Sequence, residues 1–138
     1  MNKKELMMES PQKKKMVVID DDPIFHAILE AVAGYEGFEY EGYESLDEMG
    51  TFARLRDYDI AVLDYSMPVM TGVEIAEYID VFFEGLPVLL ISSENLLSAK
   101  NQPRWPGCIV EFRNKIVGVG GIIDAAKSIL ARPAEGVF

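Results

Sequence analysis

A single cysteine, Cys108, leaves no partner for an internal disulfide and too few thiols for a clustered Cys/His metal centre. Histidine is as scarce, with His26 standing alone. No apolar run approaches the roughly 20 residues needed to cross a bilayer, and the first residues lack the apolar core of a secretory signal. Internal repeats, low-complexity blocks and interdomain linkers are also missing. These absences predict a cytoplasmic protein without membrane insertion. A chain of 138 residues, about half of them apolar, suits one domain with a real core and is too short for two of ordinary size. We expect a basic flexible tail over 1–14, a folded domain over 15–132 and a short tail over 133–138.

The formal charge of −10 is unevenly spread. Lys3, Lys4, Lys13, Lys14 and Lys15 against Glu5 and Glu9 put the first fifteen residues at +3, so the remainder carries −13. An acidic body repels nucleic acid and anionic membrane, and turns attention to cations and basic partners. The lysines read as a solvated tail rather than a nucleic-acid arm.

Three runs are continuously apolar: Met16 to Ile19, Ile60 to Leu63 and Val88 to Ile91. Strands covered by helices on both faces require this pattern. Phe38 to Tyr43 and Ile109 to Phe112 are interrupted by charge and predict edge strands. Helical signals lie between. Asp22 can cap a helix opening at Pro23, with Ile24, Ile28, Leu29 and Val32 as its apolar stripe. Ser45 and Glu48 form a capping-box pattern before Met49 and Phe52. Ile75, Ile79, Phe82 and Phe83 follow Gly72 at helical spacing, as do Ile122, Ala126, Ile129 and Leu130 before Pro133. Alternating strands and helices predict a parallel α/β sheet with right-handed crossovers. With the second and fifth strands at the edges, the order is 2-1-3-4-5. Between Ser93 and Gly107, Leu96, Leu97, Ala99 and Lys100 allow two helical turns, but Pro103 and Pro106 predict a shortened fourth helix and an irregular loop.

That order sets the ends of the first and third strands side by side, so Asp20, Asp21 and Asp64 meet in one crevice. Mg²⁺ prefers hard oxygen ligands and takes one or two carboxylates with phosphate oxygens. Asp21 and Asp64 suit it, with Asp20 acting through water. Ser92, just past the fourth strand, offers a hydroxyl donor, and Lys115, past the fifth, a mobile cation.

Ile19-Asp20-Asp21-Asp22-Pro23, Leu63-Asp64-Tyr65-Ser66-Met67-Pro68-Val69-Met70-Thr71-Gly72, Pro87-Val88-Leu89-Leu90-Ile91-Ser92 and Phe112-Arg113-Asn114-Lys115 together resemble, in order and spacing, the receiver domain of two-component response regulators. The resemblance runs from about Lys15 to about Leu130. It implies a flavodoxin-like doubly wound fold and a stand-alone, chemotaxis-regulator-like phosphoprotein rather than an enzyme. Asp64 would accept a phosphoryl group from a histidine kinase or histidine phosphotransfer protein. Asp20, Asp21, Asp64 and the backbone carbonyl of Ser66 would hold Mg²⁺, while Ser92 and Lys115 would contact the phosphoryl oxygens. Ser66 and Glu94 would set the rate of hydrolysis. Phe112 would turn inward on phosphorylation and remodel a partner-binding face built from the fourth helix, fifth strand and fifth helix.

Ile116 follows Lys115 where the family usually has proline, which predicts a trans bond there. Phe112 reads equally as packing or switch, and Trp105 either anchors a partner or packs over the fourth and fifth strands. Asp22 reads as a helix cap, His26 as a plain surface residue, and Gly118, Gly120 and Gly121 as a flexible lead into the last helix. The competing function is a receiver fold that binds its partner constitutively. A third, an aspartate-nucleophile phosphatase using Asp20 and Asp22, leaves the later motifs unexplained.

Overall fold

The structure, a computed structural model, describes residues 12–94 and 105–132. Its elements run β1 (Lys14–Ile19), α1 (Pro23–Tyr35), β2 (Phe38–Tyr43), the single turn α2 (Leu46–Met49), a 3-10 segment (Phe52–Asp57), β3 (Ile60–Asp64), α3 (Gly72–Phe82), β4 (Val88–Ser92), β5 (Ile109–Asn114), a 3-10 turn (Lys115–Val117) and α4 (Gly118–Leu130). All strand pairs are parallel, in the order β2-β1-β3-β4-β5. The expected flavodoxin-like sheet is therefore present. The stretch assigned to the shortened fourth helix falls mainly on residues 95–104, outside the described residues, so α4 is the fifth helix of the sequence reading.

Side chains alternate across a strand, so each central strand feeds two cores. Met16, Val18, Ile60, Val62, Leu89 and Ile91 pack beneath α1 and α4, on Leu29, Ala33, Ile122, Ala126 and Ile129. Val17, Ile19, Ala61, Leu63, Val88 and Leu90 face the other way, towards Met49, Leu55, Ile75 and Ile79. Every residue of β3 and β4 is buried, as their unbroken apolar runs require.

Several local expectations need correction. On α1, Ile24 and Ile28 are exposed, while Leu29 and Ala33 form the buried stripe with half-buried Phe25 and Val32 beside it. A helix lying on a sheet buries one stripe, and with Leu29, Ala33, Phe25 and Val32 packed on the core, Ile24 and Ile28 fall outside it. Phe82 likewise points outward on α3. Gly120 and Gly121 lie inside α4 rather than in a lead-in loop. The Ser45 side chain does accept from the Glu48 amide, but that helix stops after one turn at Gly50, whose φ of 88° suits glycine. A complete capping box lies instead at α3, where Thr71 and Glu74 each accept the other's backbone N–H, at 3.2 and 3.0 Å.

Gly72 begins α3 hard against β3. A Cβ there would sit 2.5 Å from the Asp64 carbonyl oxygen and 2.9 Å from Leu90 Cδ1. Gly72→Ala is therefore expected to force backbone displacement and destabilise the protein by about 1–3 kcal/mol, read as a lower midpoint in urea denaturation.

Candidate functional site

Parallel register makes the site. Ile19 pairs with Leu63, so the next residues, Asp20 and Asp64, leave adjacent strands flush with one another. Asp64 pairs with Ile91, placing Ser92 one step beyond on the next strand, and Ser92 pairs with Asn114, which precedes Lys115. Four neighbouring strands thus deliver two carboxylates, a hydroxyl and an ammonium to one edge. Asp21 adds a third carboxylate, and ligand oxygens of Asp20, Asp21 and Asp64 lie within 4.8 Å of one another.

Burial differs sharply among these groups. Asp20 and Ser92 have no exposed surface and Asp64 is 4% exposed, whereas Asp21 is open to solvent. Lys115 Nζ lies 2.6 Å from Asp20 Oδ2 and 3.7 Å from Asp64 Oδ2, bridging the two buried carboxylates. Its ammonium also sits 4.7 Å from the centre of the Phe25 ring, a cation–π contact. The trans peptide expected at Ile116 is found, since the described residues hold no cis bond, and Ile116 itself is exposed. The Asn114 side chain accepts from the Ile116 amide and starts the 3-10 turn that presents Lys115.

Asp20 and Asp64 each accept a backbone amide on one oxygen and face Lys115 with the other. Asp20 Oδ1 accepts from the Asp22 amide at 2.9 Å, while the buried Oδ2 is met, among the described residues, by the Lys115 ammonium alone. Asp64 Oδ1 accepts from the Ser66 amide at 3.4 Å. Ser92 Oγ accepts from the Glu94 amide at 3.0 Å, leaving its own hydrogen free to be donated. An all-oxygen trio of three carboxylates against one ammonium fits a hard divalent cation such as Mg²⁺.

Among the remaining sequence candidates, Asp22 caps α1, accepting from the amides of Ile24 and Phe25. Phe112 is buried beneath Trp105, with ring centroids 5.9 Å apart, so both aromatics pack on the β4–β5 side of the core. His26 is a correction: far from a plain surface residue, its half-buried ring contacts Tyr40 and the carbonyls of Asp20 and Tyr43. Nothing in helical periodicity signalled this, although Gly42 inside an edge strand marks a close approach. Phe25, beneath Lys115, was also missed. Beside Asp21, a cleft of about 260 Å³ is lined by Leu46, Met67, Val69 and Met70 and rimmed by Glu44 and Asp47.

Burial raises the Asp64 carboxyl from 3.8 to about 6, and the Asp20 charge adds to the rise while Lys115 opposes it. The folded state then holds a proton between about pH 4 and 6 that the unfolded chain releases, so stability falls as pH rises through this window. In chelator, Asp64→Asn is expected to match the wild type near pH 4 and exceed it by roughly 3 kcal/mol above pH 6.5, measured by urea denaturation. Equal stability at both pH values would contradict the assignment.

The response regulator receiver domain family matches residues 16–103. The chain is 32% identical to the heme response regulator HssR of Staphylococcus saprophyticus over 119 residues, covering 84% of this chain and 51% of that protein. Sporulation initiation phosphotransferase F of Bacillus subtilis is 25% identical over 118 residues, covering 85% of this chain and 94% of the relative. The chain thus spans about half or less of the first curated relatives it matches. Among solved structures, chemotaxis protein CheY4 of Vibrio cholerae superposes with a TM-score of 0.73 at 19% identity, covering 85% and 98% of the two chains. TrrA of Thermotoga maritima, crystallised with Mg²⁺ and BeF, superposes with a TM-score of 0.71 at 22% identity, covering 84% and 98%. Among the described residues no helix is long and apolar enough to cross a membrane. With its 2-1-3-4-5 sheet and its carboxylates gathered at the strand ends, this chain belongs to the response regulator receiver domain family.

Proposed function

We propose that the protein is a phosphoacceptor that takes a phosphoryl group on Asp64 from a histidine kinase or histidine phosphotransfer protein. One observation carries the reading: a single ammonium, Lys115, stands between the two buried carboxylates of Asp20 and Asp64, with Asp21 a third carboxylate beside them. Such an arrangement is costly unless a cation or an anionic group completes it. An Asp64 oxygen attacks phosphorus, the bond from phosphorus to the donor nitrogen breaks, and the imidazole keeps the electron pair. Mg²⁺ held by Asp20, Asp21, Asp64 and the Ser66 carbonyl would neutralise the carboxylates and the phosphoryl charge. Lys115 would leave Asp20 to meet a phosphoryl oxygen, and the Ser92 hydroxyl would donate to another. Ser66 and Glu94, both exposed, would set how fast water removes the phosphoryl group. The protein would act as a substrate for transfer, with no catalysis on separate molecules.

The acidic rim and apolar lining beside Asp21 favour a donor surface carrying basic and apolar side chains. Output would be altered binding of a protein through the face that includes Phe112 and Trp105. The packing of Trp105 on Phe112 favours a second reading, in which this face is fixed and the partner binds irrespective of phosphorylation.

Acetyl phosphate with Mg²⁺ is expected to label the purified protein, as measured by intact mass. Asp64→Asn should abolish labelling and Lys115→Ala should slow it by roughly a hundredfold. A wild-type protein that stays unlabelled rules the phosphoacceptor reading out. Under the first reading, Mg²⁺ with beryllium fluoride also changes Trp105 fluorescence as Phe112 moves. Labelling with an unchanged Trp105 signal would select the fixed face.

A further inference from the structure

His26 takes no part in the chemistry above, yet its ring is fully engaged. Nε2 lies 2.7 Å from the Asp20 carbonyl oxygen and 3.1 Å from that of Tyr43, and Nδ1 is hydrogen-bonded to the Tyr40 hydroxyl. Two carbonyl acceptors at Nε2 assign a proton to that nitrogen, leaving Nδ1 to pair with the Tyr40 hydroxyl. Burial, reinforced by the charges of Glu30 and Asp20, holds the Tyr40 hydroxyl well above its ordinary pKa, so it remains a donor. The two rings meet edge to face, with centroids 6.0 Å apart. Gly42 makes room for them: a Cβ there would sit 2.5 Å from His26 Nδ1 and 2.8 Å from Tyr40 Cε1.

The clamp closes on the residue that anchors the acidic trio. The Asp20 amide donates to the Tyr43 carbonyl at 3.0 Å, and its Oδ1 accepts from Asp22. With His26 on its carbonyl, every backbone polar group of Asp20 and one carboxylate oxygen are tied down. Only Oδ2 is left, facing Lys115. A cation bound there meets an oxygen whose place is set before binding, so little ordering cost remains.

We propose that His26 is a positioning residue for the cation site, its Nε2–H tying the ends of β1 and β2 together so that Asp20 Oδ2 is held ready for Mg²⁺. The proposal rests on the reading that Asp20, Asp21 and Asp64 take that ion. Calorimetric titration of Mg²⁺ into chelator-stripped full chain, well below its melting temperature, tests both, because affinity in a folded protein does not follow global stability.

Tyr40→Phe, which keeps the Nε2 donor, is expected to bind within about threefold of wild type. His26→Phe combined with Tyr40→Phe keeps the packed ring pair, orphans no hydroxyl and should bind about tenfold more weakly or worse. His26→Gln retains a side-chain N–H and should fall between. If the double variant does not fold, His26→Gln and Gly42→Ala, which drives the ring off the strand, decide the matter. Mg²⁺ affinity within about twofold of Tyr40→Phe in a folded His26→Phe/Tyr40→Phe protein, or unchanged from wild type in folded Gly42→Ala, overturns the proposal. A wild-type protein that binds no Mg²⁺ removes the underlying reading as well, so the two failures are distinct.

Discussion

The ion pair from Lys115 to Asp20 and Asp64 is the constraint on which the rest of the molecule turns. Two carboxylates have been carried into the end of a parallel sheet, where water is largely excluded, and one lysine stands between them. Removing water from like charges is unfavourable, and the raised proton affinity of Asp64 is its direct expression. A fold that sought only stability would place apolar groups there. Keeping the charges makes sense where they are later matched by a cation and a phosphoryl group.

The sheet supplies what loops alone could not. Flush register between β1 and β3 fixes the spacing of Asp20 and Asp64 to the width of adjacent strands, and β4 and β5 carry Ser92 and Lys115 to the same edge. Two apolar layers, one under α1 and α4 and one under α3, hold those strands rigid. Gly72 extends the same logic, since its missing side chain lets α3 start against the Asp64 carbonyl. The binding edge is thus the outcome of core packing on both faces.

Around this edge the chain departs from uniformity on both flanks. The second helix is reduced to one turn followed by a 3-10 segment, so Leu46 and the Met67–Met70 loop border an open, acidic-rimmed cleft beside Asp21. On the opposite flank, Trp105 covers Phe112. That contact joins the proposed output face to the residues just before β5.

The strand order, the central and edge strands and the acidic trio were legible in the sequence because they depend on local pattern: unbroken apolar runs mark buried strands, and a carboxylate just past such a run sits at a strand end. The five groups gathered at the strand-end edge followed for the same reason. Helix orientation did not, as Ile24 and Ile28 show by facing outward, because periodicity gives a stripe and only the groove above the sheet decides which stripe is buried. The roles of His26, Tyr40 and Gly42 lay further out of reach. Each comes from a different element or a different position along one, and their contact exists only once α1 lies across the ends of β1 and β2. Residue types and spacing determined what chemistry this chain could hold, while the packing of one helix on two strands decided how firmly its first carboxylate is held.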